Sequence, residues 1–351
     1  MNLEAVAIYG AGSFGQNLAS KLSDGNFLSA KYFIDAKASP ELSRAKLKVL
    51  PVQEEYVAEK DIFIAVLNNE FDVALTVSKL KEMGARSVFT PPQVFQLLRE
   101  FGVEWEWYWL TTSELIRARD IATRSEVEQR MGDLASIDLY RAICDYRLNG
   151  DPACLRAPRP FSTQYLDSGI AGFWNGTVDL VDCGAYTGDS IEKLISGGVK
   201  INEVWAFEPD PSSFAELERY SRKTDVLMHA YPIATGDIRG VVRFDARSAD
   251  GSAIRIDGAV SVPIQPIDDI LLSAPITHVK LDVEGAEIAS LRGMKNLLTR
   301  CRPKLAVSVY HRPNDIEDVI EFVVEVYGEA ALSLKCFAHQ TLETVLYVSP
   351  G

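Results

Sequence analysis

The chain repeats one pattern, in which an apolar strand runs into a glycine turn that opens an amphipathic helix. The first copy is VAIYG with the turn GAGSFG at residues 10–15, and the second is TVDLVDCG with the turn VDCGAYTGDS at residues 181–190. Strands that alternate with helices in this way form βαβ units around a parallel sheet. A length of 351 residues with 47% hydrophobic content is comfortable for two such domains.

The predicted elements divide the chain into three parts. Residues 1–92 predict a smaller Rossmann-like α/β domain, and residues 93–172 have the periodicity and charge of a helical connector. In residues 173–351 the alternation resumes, and the stretches ALSLKCFAH and ETVLYVS predict a closing antiparallel pair. The stretches GVVRFDARS and AVSVPIQPI predict extra strands, and EIASLRGMKNLL predicts a helix. We therefore expect a Rossmann-like seven-stranded α/β sheet there, with an antiparallel hairpin at its C-terminal end.

The composition of the chain indicates which partners it can bind and in which cellular compartment it is expected. A formal net charge of −13 repels phosphate backbones, so nucleic acid is not expected as a substrate. Five scattered cysteines without a CxxC pair indicate reduced thiols and predict a cytoplasmic protein. Neither a signal peptide nor a membrane span is predicted. The aromatic stretch WEWYW at residues 105–109 predicts packing rather than a sugar platform, and it is also a candidate interface of a homo-oligomer.

The turn GAGSFG matches the pattern G-x-G-x-x-G, and Asp35 ends the next strand 20 residues after Gly15. That context fits the dinucleotide fingerprint. Because the turn carries no acid, amides at the helix start could face a pyrophosphate. Gly10, Gly12, Gly15 and Asp35 are therefore a possible nucleotide or nucleotide-sugar site. The alternative is a domain that uses these glycines only for a tight turn and close helix packing.

The turn VDCGAYTGDS has the same architecture with the opposite charge. Asp182 lies in the turn, and Glu208 ends the next strand 20 residues after Gly188. A carboxylate repels a pyrophosphate. S-adenosylmethionine instead offers a sulfonium, an ammonium and a ribose diol from which Glu208 can accept hydrogen bonds. Asp182 thus favours a methyl donor over a dinucleotide, and a turn-forming or helix-capping role is the alternative.

Four segments together resemble the FkbM-type methyltransferases: VDCGAYTGDS, AFEPDPSSF, HVKLDVEGAEIASLRGM and KLAVSVYHRPND. The resemblance covers about residues 125–350. It implies a class I methyltransferase fold and the cofactor S-adenosyl-L-methionine. It also implies O-methylation of a hydroxyl on a small-molecule acceptor or a sugar or glycan precursor. Residues 1–92 more loosely resemble the Rossmann-like domains attached to some sugar-modifying enzymes.

The resemblance also implies roles for individual residues. Asp282, at the carboxyl end of its strand, would lie over the donor and face the acceptor. Gln164 and Tyr165 of the segment TQYL would cover the donor, and Ile233 with Ala234 would lie near the adenine. The residues implied to bind the donor are Asp182, Cys183, Gly184, Tyr186, Thr187, Gly188, Glu208, Pro209, Ala234, Gln164, Tyr165 and Asp282.

Methyl transfer to a hydroxyl needs alignment of the reactants and a group that takes up the proton. His311 ends the strand KLAVSVYH at the same sheet edge as Asp282, and an ordinary histidine pKa of about 6.5 suits a general base. A histidine that caps the next helix or bonds a loop carbonyl is the alternative. Asp282, Glu284 and His311 could hold Mg²⁺, but we expect Glu284 to stabilise the start of the following helix instead.

Other functions stay open at this point. The chain could be an NAD- or nucleotide-sugar-dependent enzyme that uses the turn GAGSFG, or a binding protein whose two turns hold ligands without turnover. Within a methyltransferase, the N-terminal domain could recognise a nucleotide-linked acceptor or pair subunits.

Overall fold

The computed structural model of the protein describes residues 5–24, 28–38, 43–170, 172–245, 253–254 and 260–351. The chain divides into two compact units. The first unit comprises Met1–Arg119, Leu139–Pro158 and Ala338–Leu342, and the second comprises Asp120–Asp138, Arg159–Phe337 and Glu343–Gly351. The domain boundaries expected at residues 92 and 172 stay predictions.

A parallel α/β sheet forms the body of the first unit. Its elements in chain order are β1 (Ala5–Tyr9), α1 (Ser13–Asp24), β2 (Ser29–Ile34), β3 (Ser43–Arg44), β4 (Leu47–Leu50), α2 (Glu54–Val57), β5 (Asp61–Ile64), α3 (Val73–Glu82), β6 (Ser87–Phe89), α4 (Pro91–Glu100), β7 (Glu106–Trp107) and β8 (Leu110–Thr111). The sheet order is β3-β4-β2-β1-β5-β6, and only the pair of β3 with β4 is antiparallel. The predicted Rossmann-like architecture is present, with β3, β4 and α2 added to it.

The first glycine turn is held by close backbone contact. A Cβ atom on Gly15 would lie 2.0 Å from the carbonyl oxygen of Gly10, so helix α1 approaches the turn closer than any side chain permits. A Cβ atom on Gly12 would meet no heavy atom within 4 Å. Only one of these two glycines is therefore explained by packing.

We expect Gly15→Ala to destabilise the first unit by about 2–3 kcal/mol, because the added methyl forces α1 away from the turn. Gly12→Ala is the matched control in the same turn, and it should change the free energy of unfolding by less than about 0.5 kcal/mol. Urea unfolding of the full chain, followed by tryptophan fluorescence, checks both values. Equal unfolding midpoints for the two variants would contradict this account of the turn.

The aromatic stretch WEWYW contains β7 and the turn that leads into its antiparallel partner β8. Trp107 stacks on Phe14 with ring centroids 5.4 Å apart, and Trp105 stacks on Phe95 at 4.8 Å. The predicted packing role is confirmed within the first unit, and an interface between copies stays a prediction.

Helices α5 (Ile121–Arg130) and α6 (Leu134–Asn149) follow along the chain. Helix α5 belongs to the second unit, whereas most of α6 belongs to the first. From residue 177 onward, the elements of the second unit are β9 (Thr177–Cys183), α7 (Asp189–Ser196), β10 (Lys200–Phe207), α8 (Pro211–Ser221), β11 (Leu227–Tyr231), β12 (Ala234–Thr235), β13 (Gly240–Asp245), β14 (Ala253–Ile254), β15 (Val260–Gln265), β16 (His278–Leu281), α9 (Glu287–Arg292), α10 (Lys295–Cys301), β17 (Lys304–Ser308), α11 (Asp315–Tyr327), β18 (Ala330–Cys336) and β19 (Thr344–Pro350). No helix among the described residues is both long enough and apolar enough to cross a membrane.

The main sheet of the second unit has the order β11-β10-β9-β16-β17-β19-β18. The first five strands are parallel, and β19 runs antiparallel to both of its neighbours. This confirms the seven-stranded sheet with a closing hairpin. The predicted extra strands GVVRFDARS and AVSVPIQPI form a separate four-stranded sheet, β12-β15-β13-β14. Residues 246–248 and residue 259 of these predictions lie outside the described residues.

One predicted helix, EIASLRGMKNLL, is two helices in the structure. Helix α9 ends before Gly293, whose Cβ would lie 1.9 Å from the carbonyl oxygen of Gly236. Helix α10 is a separate helix whose first turn is capped by Asp268. The carboxylate of Asp268 accepts hydrogen bonds from the amides of Asn296 and Leu297 at 2.9 and 2.8 Å. The prediction of a continuous helix was wrong because both contacts come from segments distant in sequence.

Candidate functional site

The carboxyl ends of β9, β10 and β16 lead into a cavity of about 450 Å³, a usual size for a small-molecule site. The strand order reverses between β9 and β16, and open α/β sheets bind ligands at such a point. The lining residues are Phe161, Gln164, Tyr165, Gly184, Tyr186, Asp189, Ser190, Phe207, Glu208, Pro209, Ser213, Ile233, Ala234, Thr235, Asp282, Val283, Glu284, Ala286, Tyr310 and Glu343. Five of them are carboxylates, and within the described part of the chain none is a lysine, arginine or histidine.

The turn after β9 brings the backbone close to the neighbouring strand end. Gly184 has a φ of 76°, and a Cβ there would lie 1.8 Å from the carbonyl oxygen of Asp282. Gly188, with a φ of 91°, begins α7, and a Cβ there would lie 2.6 Å from the ring of Tyr220. Both glycines are therefore required by close packing, and of the two only Gly184 lines the cavity.

Glu208 follows β10 and is fixed by the backbone around it. Its Oε2 accepts a hydrogen bond from the amide of Tyr186, and its Oε1 accepts one from the amide of Asp210, each at 2.8 Å. Burial raises the pKa of Glu208 to about 7, although these amides favour the ionised form. A carboxylate has about four acceptor positions, so a pre-oriented Glu208 still has lone pairs for a ligand.

Asp182 forms a buried ion pair beneath the cavity. Nζ of Lys280 lies 3.0 Å from Oδ1 of Asp182 and also donates to the carbonyl oxygen of Gly184 at 2.9 Å. Both side chains are buried, with 3% of Lys280 and none of Asp182 exposed. The cation that Asp182 faces is thus a lysine of the protein, and the direct contact with a ligand expected from the sequence is replaced by this pair.

Opposing effects set the charges of this pair. Burial raises the pKa of Asp182 to about 6, against the attraction of Lys280. Burial lowers the pKa of Lys280, but Asp182 and Asp282 together outweigh it, and the net direction is upward. Both groups are therefore charged at neutral pH.

His311 lies at the centre of a second buried cluster. Its Nδ1 donates to Oε1 of Glu287 at 2.9 Å, and its Nε2 lies 3.7 Å from Oδ1 of Asp282 and 3.6 Å from Oε2 of Glu284. Burial alone would lower the pKa of His311, but Glu287 and the other carboxylates outweigh it and raise the pKa to about 10. Burial, with the negative charge of Asp282, raises the pKa of Glu284 to about 7.

The carboxylate at the start of α9 is Glu287 rather than Glu284. Oε1 of Glu287 accepts hydrogen bonds from the amides of Val283 and Gly285, at 3.0 and 3.4 Å. Glu284 instead has a φ of 54° and lines the cavity. The expectation that Glu284 stabilises the helix start was therefore wrong, because the left-handed backbone at this residue accompanies a side chain that faces the cavity.

The segment that carries Gln164 and Tyr165 is tied to the end of the chain. Nε2 of Gln164 donates to Oε2 of Glu343 at 2.9 Å, and the amide of Tyr165 donates to the hydroxyl of Tyr347 at 3.2 Å. Gln164 and Tyr165 are thus held at the cavity by β19 and by the turn before it.

The structure brings most of the predicted donor residues to one cavity. Those that line it are Gln164, Tyr165, Gly184, Tyr186, Glu208, Pro209, Ala234 and Asp282. Those that do not line it within the described residues are Asp182, Cys183, Thr187 and Gly188. The predicted general base His311 is not among the lining residues either. Sequence reasoning missed Lys280, Glu287, Asp189 and Glu343. A lysine in the buried strand of HVKLD was a usable signal, since lysine is almost never buried without a partner.

In the first unit, the predicted nucleotide site has its acid engaged by the turn. Oδ2 of Asp35 accepts a hydrogen bond from the amide of Ala11 at 2.9 Å, and Oδ1 accepts one from the amide of Lys37 at 2.8 Å. Together with Gly10, Gly12 and Gly15, Asp35 stays a predicted site for a nucleotide.

Comparisons with known proteins concern the family and the fold of the chain. Residues 182–330 match the family model of the methyltransferase FkbM domain. The crystal structure of methyltransferase FkbM from Methylobacillus flagellatus KT is 21% identical, covers 99% of this chain and 90% of that chain, and has a TM-score of 0.79. That of an rRNA methylase from Streptococcus thermophilus is 14% identical, covers 56% of this chain and 99% of that chain, and has a TM-score of 0.32. No match was found among curated proteins. The fold expected from the sequence is confirmed.

Proposed function

We propose, on the premise that residues 182–330 match the methyltransferase FkbM domain, that the chain transfers a methyl group from S-adenosylmethionine to a hydroxyl group. The acceptor is a small molecule or a sugar or glycan precursor. The observation that carries the proposal is the charge of the cavity at the sheet edge.

Five carboxylates around a cavity without basic side chains favour a cationic ligand. They are Asp189, Glu208, Asp282, Glu284 and Glu343. Asp189 belongs to the first turn of α7, where the helix end would otherwise attract a phosphate. A dinucleotide would place its pyrophosphate at this turn, next to Asp189, and would be repelled. The preference for a cationic donor over a dinucleotide, which the sequence analysis inferred from Asp182, is therefore attributed to these other carboxylates.

Several cavity residues fit the donor. Glu208, with both oxygens already oriented by backbone amides, would accept hydrogen bonds from the ribose diol. Gly184 has no side chain, so the donor could approach the backbone closely at this point of the cavity lining. Ile233 and Ala234 offer an apolar wall for the adenine. S-adenosylmethionine, when bound, supplies an activated methyl group on a sulfonium.

The residues of this chain would supply alignment and a negative field on the acceptor side. Asp282 and Glu284 line the cavity, where they would orient an acceptor hydroxyl and attract its proton. The part of general base predicted for His311 requires a neutral ring. With a pKa of about 10 the ring carries a proton at neutral pH. In that state His311 holds the carboxylates of Asp282, Glu284 and Glu287 together.

The proposal is tested by calorimetric titration of the full chain with S-adenosylhomocysteine, first alone and then in excess NAD⁺. We expect one site per chain whose affinity is unchanged by NAD⁺, even if the first unit binds a nucleotide. Absence of S-adenosylhomocysteine binding would end the proposal, and competition by NAD⁺ would favour the alternative dinucleotide enzyme. Transfer of labelled methyl from S-adenosylmethionine into an alkali-stable product would then separate a methyl ether from a methyl ester.

A further inference from the structure

The cluster around His311 holds more negative charge than its one imidazole can balance. Asp282, Glu284 and Glu287 surround His311, and its closest contact is the 2.9 Å bond from Nδ1 to Oε1 of Glu287. The other two carboxylates lie 3.6–3.7 Å from Nε2, beyond a hydrogen bond.

Two carboxylate oxygens of this cluster are buried without a hydrogen-bond partner among the described residues. They are Oδ1 of Asp282 and Oε2 of Glu287. Glu287 is 1% exposed, so its second oxygen has lost its water as well. A buried carboxylate oxygen without a partner is costly, and a bound cation is a usual explanation for one.

The three side chains lie close enough to share one ion. Asp282, Glu287 and His311 each offer a ligand atom, and the three atoms lie within 4.8 Å of one another. Ligands on opposite sides of a cation with bonds of about 2.2 Å are about 4.4 Å apart. A separation of at most 4.8 Å is therefore close to the widest span that one cation bridges.

We propose that Asp282, Glu287 and His311 bind a divalent cation at the acceptor side of the cavity. A charged imidazolium has no lone pair for a metal, so the cation would displace one ring proton of His311, which leaves to solvent. Two carboxylate oxygens and one imidazole nitrogen favour a first-row ion such as Mn²⁺ over Mg²⁺, which prefers oxygen ligands and water. Compared with the Mg²⁺ site that the sequence left open as an alternative, this set contains Glu287 in place of Glu284. Since Asp282 also lines the cavity, the cation would lie within reach of an acceptor oxygen.

The catalytic part of this inference rests on the proposed methyl transfer, whereas cation binding does not. A divalent cation at this place would polarise an acceptor hydroxyl and ease the loss of its proton. Acceptors with two adjacent oxygens, such as a diol or a hydroxy acid, could then bind the cation through both.

The test is titration of chelator-treated full-length protein with Mn²⁺ alone, followed by the loss of the free-ion electron paramagnetic resonance signal. We expect one Mn²⁺ per chain, bound more tightly than Mg²⁺. Glu287→Gln and Asp282→Asn should each weaken binding by at least about tenfold. Glu343→Gln, a matched loss of a carboxylate from the same cavity, should weaken it by less than about threefold.

Asp282→Asn is the safer variant, because Oδ1 of Asp282 has no hydrogen bond to lose among the described residues. Near-wild-type affinity in either folded variant, or no bound Mn²⁺ in the wild type, would overturn the site. S-adenosylhomocysteine titration without metal tests the donor site separately. A protein that binds S-adenosylhomocysteine but no Mn²⁺ would refute only the cation site.

Discussion

Lys280→Met should destabilise the second unit by about 3–5 kcal/mol, because it leaves the carboxylate of Asp182 buried without a counterion. It also removes the donor to the carbonyl oxygen of Gly184. A loss of this size is a large share of the stability of an ordinary domain. Urea unfolding followed by circular dichroism at pH 8 gives the free energy directly.

The matched control is Lys295→Met, which breaks the ion pair of Lys295 with Glu325. Both partners are more than half exposed, so this variant should lose less than about 1 kcal/mol. Replacing both members of the buried pair, in Lys280→Met with Asp182→Leu, should recover most of the loss. A single Lys280→Met variant as stable as the control would show that the pair contributes nothing to folding.

The pH dependence of Lys280→Met has a definite sign. Without the lysine, the folded-state pKa of Asp182 rises further above its unfolded value. The loss in free energy of unfolding relative to the wild type is therefore largest above that folded-state pKa. It becomes smaller as the pH falls through this pKa, because a protonated Asp182 carries no charge to bury. A deficit that grows as the pH is lowered from 8 to 5 would contradict this assignment.

Local sequence patterns were sufficient to place the candidate site on the fold. Asp182, Glu208 and Asp282 each follow or end an apolar run, and parallel strands bring such positions to one sheet edge. The glycine turns were equally readable, because a strand that ends in glycine and opens a helix has few possible conformations. These features depend on residues within about 20 positions of one another, so a single sequence contains them.

The partners of these residues depend on register, which the sequence does not specify. Lys280 pairs with Asp182 because β16 lies beside β9 with these two residues directly opposite, although 98 positions separate them. A one-residue slip would place Lys280 on the other face of the sheet. The sequence analysis predicted a cationic ligand from the charge of Asp182. In the structure, that charge is neutralised by Lys280.

The same limit explains the reassignment of the acids near His311. Glu284 and Glu287 both lie in the segment LDVEGAE, and helix capping gave no reason to choose between them. Their roles separate in three dimensions. Glu287 turns inward to the backbone and to His311, whereas Glu284 lines the cavity.

Donor affinity should depend on Glu208 more than on any other single side chain. Two hydrogen bonds from a ribose diol to a carboxylate contribute about 3 kcal/mol together, so Glu208→Gln should weaken S-adenosylhomocysteine binding by tenfold to about a hundredfold at pH 7.5. Glu216→Gln on the exposed face of α8 is the matched control and should bind like the wild type.

The wild type should also lose affinity as the pH falls, with a sign fixed by the pKa of Glu208 at about 7. Hydrogen bonds from the ribose hydroxyls favour the ionised form of Glu208, so the pKa of Glu208 is lower in the complex than in the ligand-free protein. Between these two values, binding must release a proton, and affinity declines by up to about tenfold per pH unit. Calorimetry at pH 7.5, 6.5 and 5.5 should show this decline in the wild type and a flatter profile in Glu208→Gln. Parallel profiles in the two proteins would remove Glu208 from the donor site, since only the variant lacks the titrating group.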